Sequence, residues 1–210
     1  MLAVRIAARS TKWTERTDLS TGGFVLAGGK STRFGADKAL AELGTRHMID
    51  AVIDSLRPVV DRISIVGGDA AIAFARHLSH IEDHEKHRGP WAALASVSAH
   101  VSDDMLVFVP CDVPLLRSET LIKLREAARL HGVSVARSES MIHWSVSAWT
   151  RHRLAEATDA AATQKSSSLY SAIEPLKPEF VVVDEREMLN VNTPAELAIA
   201  ASNLAELSDD

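Results

Sequence analysis

From Gly23 onward the chain alternates short apolar runs with longer stretches in which apolar residues return every three or four positions. FVLA (24–27), RISIV (62–66), MLVFV (105–109) and FVVV (180–183) are rich in branched and aromatic residues and too short for helices, so they read as strands. Between the first two, residues 46–56 place Met48, Ile49, Val52, Ile53 and Leu56 on one helical stripe, with Thr45 as the expected N-cap. Leu121, Leu124 and Ala128 repeat that stripe after Ser118, and Gly132 is placed to end the helix. Gly89-Pro90 predicts a helix start, with the helix running from Trp91 to about Val101. In Thr193-Pro194-Ala195-Glu196 an N-cap, a proline at the first helical position and a glutamate able to close a capping box come together. Residues 133–149 read as two more strands, the alanine-rich stretch after Arg151 as a helix, and the serines before Leu169 as a loop. Strands alternating with helices in this way predict an α/β fold, a mostly parallel sheet covered by helices.

Composition narrows what such a fold would serve. A chain of 210 residues suits one domain, expected over 22–210, with residues 1–21 as a flexible N-terminal extension. That extension carries Arg5, Arg9, Lys12 and Arg16 against two acids, a faint transit-peptide character, but Arg5 interrupts the apolar stretch before a signal-type core forms. With 23 basic residues against 28 acidic ones and 5% aromatics, neither an overall basic footprint nor stacking platforms for nucleic acid are present. No apolar run approaches the length of a membrane span. The single cysteine, Cys111, excludes an internal disulfide and fits a reducing cytoplasm.

The candidate chemistry lies in loops that follow strands, where α/β sheets collect their ligands. LAGGKSTRFGADKA (26–39) contains GKST but is not a P-loop, because the glycine required five positions before Gly29 is Phe24. What remains is a glycine-rich turn: Gly28, Gly29 and Gly35 let backbone N–H groups approach an anion, and Arg33 and Lys38 add charge, a triphosphate cradle in outline. Asp112, between Pro110 and Pro114 after MLVFV, is placed to bind Mg²⁺; the alternative is an aspartate that serves the turn. Cys111 beside it reads as a small buried residue, not a nucleophile. Asn190 and Asn192 precede the last helix on an extended segment, where their amides are expected on opposite faces, one of them serving a metal or phosphate. His80, His84 and His87 sit among charged residues and read as a solvated loop more than as a metal site, while Asp83 there is a carboxylate able to accept two N–H donors from a guanine edge.

In this order the motifs resemble those of the MobA-like nucleotidyltransferases, in the branch of the molybdenum cofactor guanylyltransferases. The family pattern LAGGxSxRxGxDKA is matched by Leu26 through Ala39, followed by an acid before Gly-Pro, PCDxP after a strand and NxNTP before the last helix. The resemblance covers nearly everything after Gly22. It implies a single Rossmann-like, three-layer α/β domain, and a nucleotide site of Leu26, Ala27, Gly28, Gly29, Ser31, Lys38, Asp83 and Gly89. Lys38, Arg33 and Asp112 are the implied catalytic residues, with Mg²⁺ on Asp112; Asn190, Asn192 and His143 fall on the acceptor side. GTP and a molybdopterin-type acceptor are the implied substrates, GTP because the cytidylyl branch usually has LAAG in place of LAGG. Other molybdenum-cofactor biosynthesis proteins or molybdoenzyme chaperones are the candidate protein partners. A related enzyme using CTP or a sugar or alcohol phosphate, and a silent nucleotide-binding protein, are the alternatives.

Two positions depart from the family pattern. Its Gly-Pro-Leu-Ala-Gly is here Gly89-Pro90-Trp91-Ala92-Ala93, expected to crowd the base pocket or shift a helix, and its His-Pro step is His143-Trp144. An acceptor phosphate attacking the α-phosphorus is already anionic, so the lack of a Ser-His pair or general base is consistent with this chemistry.

Overall fold

In the computed structural model, residues 19–28, 38–83, 89–164 and 168–208 are described. The expected runs form strands: β1 Thr21–Leu26, then, beyond a small antiparallel ribbon of β2 Glu42–Leu43 and β3 Arg46–His47, β4 Arg62–Val66 and β5 Ser79–Ile81. They continue as β6 Met105–Pro110, β7 Val133–Arg137, β8 Ile142–Thr150 and β9 Glu179–Val182. Seven strands make one sheet in the order β5-β4-β1-β6-β8-β7-β9. All its pairings are parallel except those of β8, which runs antiparallel between β6 and β7.

The helices are α1 Met48–Leu56, α2 Ala70–Phe74, α3 Pro90–His100, α4 Ser118–His131, α5 Arg151–Gln164, α6 Leu169–Ile173 and α7 Pro194–Ser208. Alternation along each strand feeds two cores, one per face. Val25, Ile63, Ile65, Val107 and Val109 pack with α1 and α4 residues such as Ile49, Val52, Leu121 and Leu124. Phe24, Leu26, Leu106, Phe108 and Trp149 pack on the other face with Trp91, Leu94 and Val97 of α3 and with Leu154 and Ala157 of α5. This is the expected three-layer arrangement. A third, smaller cluster joins Met48, Leu115, Val191 and Ala200 and seats α7 beside the site described below.

Three local expectations change. Helix α1 begins at Met48 and is capped by His47, whose backbone N–H donates to Asp50 Oδ2 at 3.3 Å; Thr45 lies in the turn of the β2–β3 ribbon, which consumes residues 46–47. Cys111 is partly exposed, because it follows the last strand residue and its backbone is drawn to β1. Helix α2 and strand β5 fall where the periodicity is too short to read. Gly132 does end α4, at φ 86° in the left-handed region.

Candidate functional site

The carboxyl ends of four adjacent strands are laced together by backbone hydrogen bonds. Cys111 N–H donates to Leu26 O at 3.0 Å, Ala27 N–H to Val66 O at 2.9 Å, and Gly67 N–H to Ile81 O at 2.9 Å. Leu26 and Ala27 thus join the neighbouring strands through their backbone, and they deliver Gly28 to the top of the sheet. Gly67 has φ 70°, and a Cβ there would lie 3.2 Å from Gly28 Cα and 3.7 Å from Asp83 Cβ. A side chain would be strained and would push the two segments apart. Asp83 is therefore next to Gly28: a Cβ on Gly28 would be 3.9 Å from Asp83 Oδ2. The Gly67-Gly68 turn was not singled out from sequence, although a glycine pair directly after an apolar strand was a signal for a close backbone approach.

The second half of the site gathers three distant residues. Lys38 opens a 3₁₀ turn, Lys38–Leu40, and its Nζ donates to Asp112 Oδ2 at 2.8 Å and to Asn192 Oδ1 at 2.6 Å. Asn192 Nδ2 in turn donates to Asn190 Oδ1 at 2.9 Å. The two amides meet, correcting the expectation of opposite faces, because residues two apart on extended backbone share a side. Val191 N–H donates to Asp112 O at 2.8 Å, and the Val191 side chain is fully buried.

Glu196 completes the expected capping box of α7. Its carboxylate accepts from Asn192 N–H at 2.7 Å and from Thr193 Oγ1 at 3.0 Å, while Glu196 N–H donates to Thr193 Oγ1 at 3.2 Å. The Asn192 amide, then the Thr193 hydroxyl, hold this carboxyl below its ordinary range, and the Lys38 ammonium adds to the effect.

Asp112 Oδ1 is buried and has no hydrogen-bond partner among the described residues. A buried carboxylate oxygen without a donor is costly, and the Asp112 carboxylate and the Asn192 amide oxygen flank the Lys38 ammonium. This donor set fits a hard cation such as Mg²⁺. Among the described residues no three His, Cys, Asp or Glu side chains gather around a common point. A cation here would rest on Asp112, with the Asn192 amide oxygen close by, and would take the rest of its oxygens from substrate phosphates and water, as Mg²⁺ ordinarily does.

Other expected residues distribute differently. Gly29, Ser31 and Arg33 lie outside the described residues, as do His84 and His87. Gly89 is the N-cap of α3, at φ 82°. His80 Nε2 lies 3.1 Å from Gly67 O, so it braces the glycine turn. His143 stands at the start of β8 with Nε2 3.0 Å from Ser138 Oγ; burial holds its pKa below the usual histidine value against the opposing pull of Glu185. No hydrogen bond joins it to Lys38, Asp112 or the asparagines among the described residues. Trp91 and Ala93 are buried in the α3–α5 core beside Leu26, and Trp144 packs edge-on against Tyr170 and Phe180. The two tryptophan departures are thus absorbed by the packing on that face.

The model of a MobA-like NTP transferase domain matches residues 23–178. A probable molybdenum cofactor guanylyltransferase from Carboxydothermus hydrogenoformans is 28% identical over 179 residues, covering 82% of this chain and 90% of that protein. One from Geobacillus sp. is 35% identical over 111 residues, which are 50% of this chain, so the chain spans just 57% of that relative's length. Among solved structures, molybdopterin-guanine dinucleotide biosynthesis protein A from Archaeoglobus fulgidus superposes with a TM-score of 0.70 at 18% identity, over 88% of this chain and 99% of that one. A nucleotidyl transferase from Methanothermobacter thermautotroptrophicus gives 0.74 at 16% identity, over 90% and 99%. These structures establish the fold, and the family model covers well over half of the sequence: the chain belongs to the family of MobA-like NTP transferase domains.

Proposed function

We propose that the protein transfers GMP from GTP to the terminal phosphate of molybdopterin, with Mg²⁺, releasing pyrophosphate in the cytoplasm. The observation that carries this reading is Lys38 Nζ held between Asp112 Oδ2 and Asn192 Oδ1, with the other Asp112 oxygen buried and unpartnered among the described residues. An ammonium, a carboxylate and two amides at the carboxyl ends of β1 and β6 suit a polyphosphate with its cation. Mg²⁺ on Asp112 would supply charge neutralisation on the phosphates.

The chain's own residues divide the remaining work. In this reading Asp83, beside Gly28, accepts from the N1–H and N2–H groups of guanine, a pair of donors that cytosine lacks. Lys38 moves its ammonium from Asp112 toward the phosphates as they arrive and stabilises the negative charge that grows on the leaving group. An acceptor phosphate oxygen forms the new bond to the α-phosphorus, the bond from that phosphorus to the bridging oxygen breaks, and the electron pair leaves with pyrophosphate. No proton has to be removed from the nucleophile. Asn190, Asn192 and His143 belong to the acceptor side in this reading; Gly29, Ser31 and Arg33 complete the phosphate loop.

Thermal shift with GTP, CTP, ATP and UTP, with and without Mg²⁺, tests the nucleotide half, since a ligand of the native state raises Tm. A shift confined to GTP, larger with Mg²⁺ and lost in Lys38→Ala, is expected, followed by pyrophosphate release with molybdopterin. A CTP-selective shift would move the protein to a cytidylyl activity, and no shift with any nucleotide would overturn the transferase reading.

A further inference from the structure

The two segments that carry Asp112 and Asn192 are joined twice. Near the site, Val191 N–H donates to Asp112 O at 2.8 Å. At the far end, Arg117 and Glu187 close the same pair of segments: Arg117 Nε and a terminal guanidinium nitrogen donate to Glu187 Oε1 at 2.8 and 2.6 Å, and Arg117 N–H donates to Glu187 Oε2 at 3.2 Å. The carboxylate raises the pKa of Arg117 further, through these hydrogen bonds first and through charge second. Residues 112–117 and 187–191 thereby form a closed ring, from which Val113, Leu116 and Met188 pack into the main core and Leu115 and Val191 into the cluster that seats α7. One corner of the ring is continuous with α4, because Arg117 is the N-cap residue of that helix.

The Glu187 side chain is 4% exposed whereas that of Arg117 is 52% exposed. Burying a carboxylate for an ion pair adds little net stability compared with an apolar contact of the same size. What the pair does supply is a fixed spacing with two-atom directionality. We propose that Arg117 and Glu187 are positioning residues for the transfer site: neither touches substrate, and together they hold Asn192 in reach of Lys38 and Asp112. The proposal rests on the reading of Lys38, Asp112 and Asn192 as the phosphate end of the site.

The test pairs steady-state kinetics with hydrogen exchange on the full chain. In Arg117→Ala, kcat falls about tenfold while KM for GTP stays within about twofold, because the base end at Gly28 and Asp83 is on the other side of β1. Arg117→Lys, which keeps the charge and one donor, recovers most of the lost kcat. The Val191 amide exchanges faster in Arg117→Ala, while amides of β6 keep their protection. Unchanged kcat, or Val191 exchange equal to that of the wild type, would overturn the proposal and leave an ordinary ion pair. Should Arg117→Ala not fold, Glu187→Gln, which keeps the shape and one acceptor, carries the same comparison. If the wild type turns over no GTP with molybdopterin, the functional reading fails, and Val191 exchange still decides the bridge.

Discussion

The two ends of the central strands both carry aspartates, and they use them in opposite ways. At the amino ends, Asp61 Oδ2 accepts from Thr21 N–H at 2.7 Å, Asp104 Oδ2 accepts from Ser20 N–H at 3.1 Å and from its hydroxyl at 2.9 Å, and Asp103, 2% exposed, is paired with Arg62. Each carboxylate there ties one strand start to the next. At the carboxyl ends, Asp112 spends one oxygen on Lys38 and leaves the other buried without a partner among the described residues. The same residue type closes the fold at one end and, among the described residues, keeps unspent bonding capacity at the other. Unsatisfied capacity, not the presence of charge, separates the site from the scaffold.

Substitutions at the two ends should therefore fail differently. Asp112→Asn should reduce kcat by about 10²–10³-fold, the scale of losing one electrostatic contribution to the transition state, because the cation loses the carboxylate that would hold it, while Tm in a calorimetric scan falls only slightly because the amide oxygen still accepts from Lys38. A loss of Tm with kcat intact would reverse the comparison. Arg62→Ala should do the opposite at the amino end, costing about 1–3 kcal/mol in denaturant unfolding by stranding Asp103, with kcat unaltered. Asp83→Asn sharpens the contrast within the carboxyl end: GTP should bind about tenfold more weakly in calorimetric titration while the response to CTP is unchanged from that of the wild type, since the base and not the phosphates is addressed.

The smallest effect concerns Glu196. Its carboxyl lies below its ordinary value of 4.5, so the stability it adds is complete above that value and is lost as pH falls through the lower folded value. In Glu196→Gln the Tm deficit relative to wild type should be constant above pH 4.5 and shrink below it. A deficit that does not change with pH would mean that the carboxylate acts by shape alone.

Sequence periodicity was enough for the strands and helices that bury a whole face, because the hydrophobic effect leaves a regular imprint wherever an element has a dry side. It was not enough for α2 and β5, each at most five residues long, or for the start of α1, where His47 displaces Thr45 as the cap. Motif spacing pointed to Asp112, Lys38 and Asn192 separately, since each follows a strand or precedes a capped helix. The Gly67-Gly68 turn and the Arg117–Glu187 bridge lay outside any motif. Their roles come from what they pack against.

By itself, then, the chain determined its layers, the helix ends at Gly89, Gly132 and Thr193, and the loops in which polar chemistry would collect, all of them local consequences of burial, capping and glycine's conformational freedom. The tertiary structure decided which of those loops meet. Lys38 finds Asp112 across 74 residues and Asn192 across 154, and the insertion of antiparallel β8 between β6 and β7 determines the sheet order around them. Such contacts depend on how strands are ordered and on which donors are left when the core is closed, and pairings between loops so far apart in sequence leave no periodic trace along the chain.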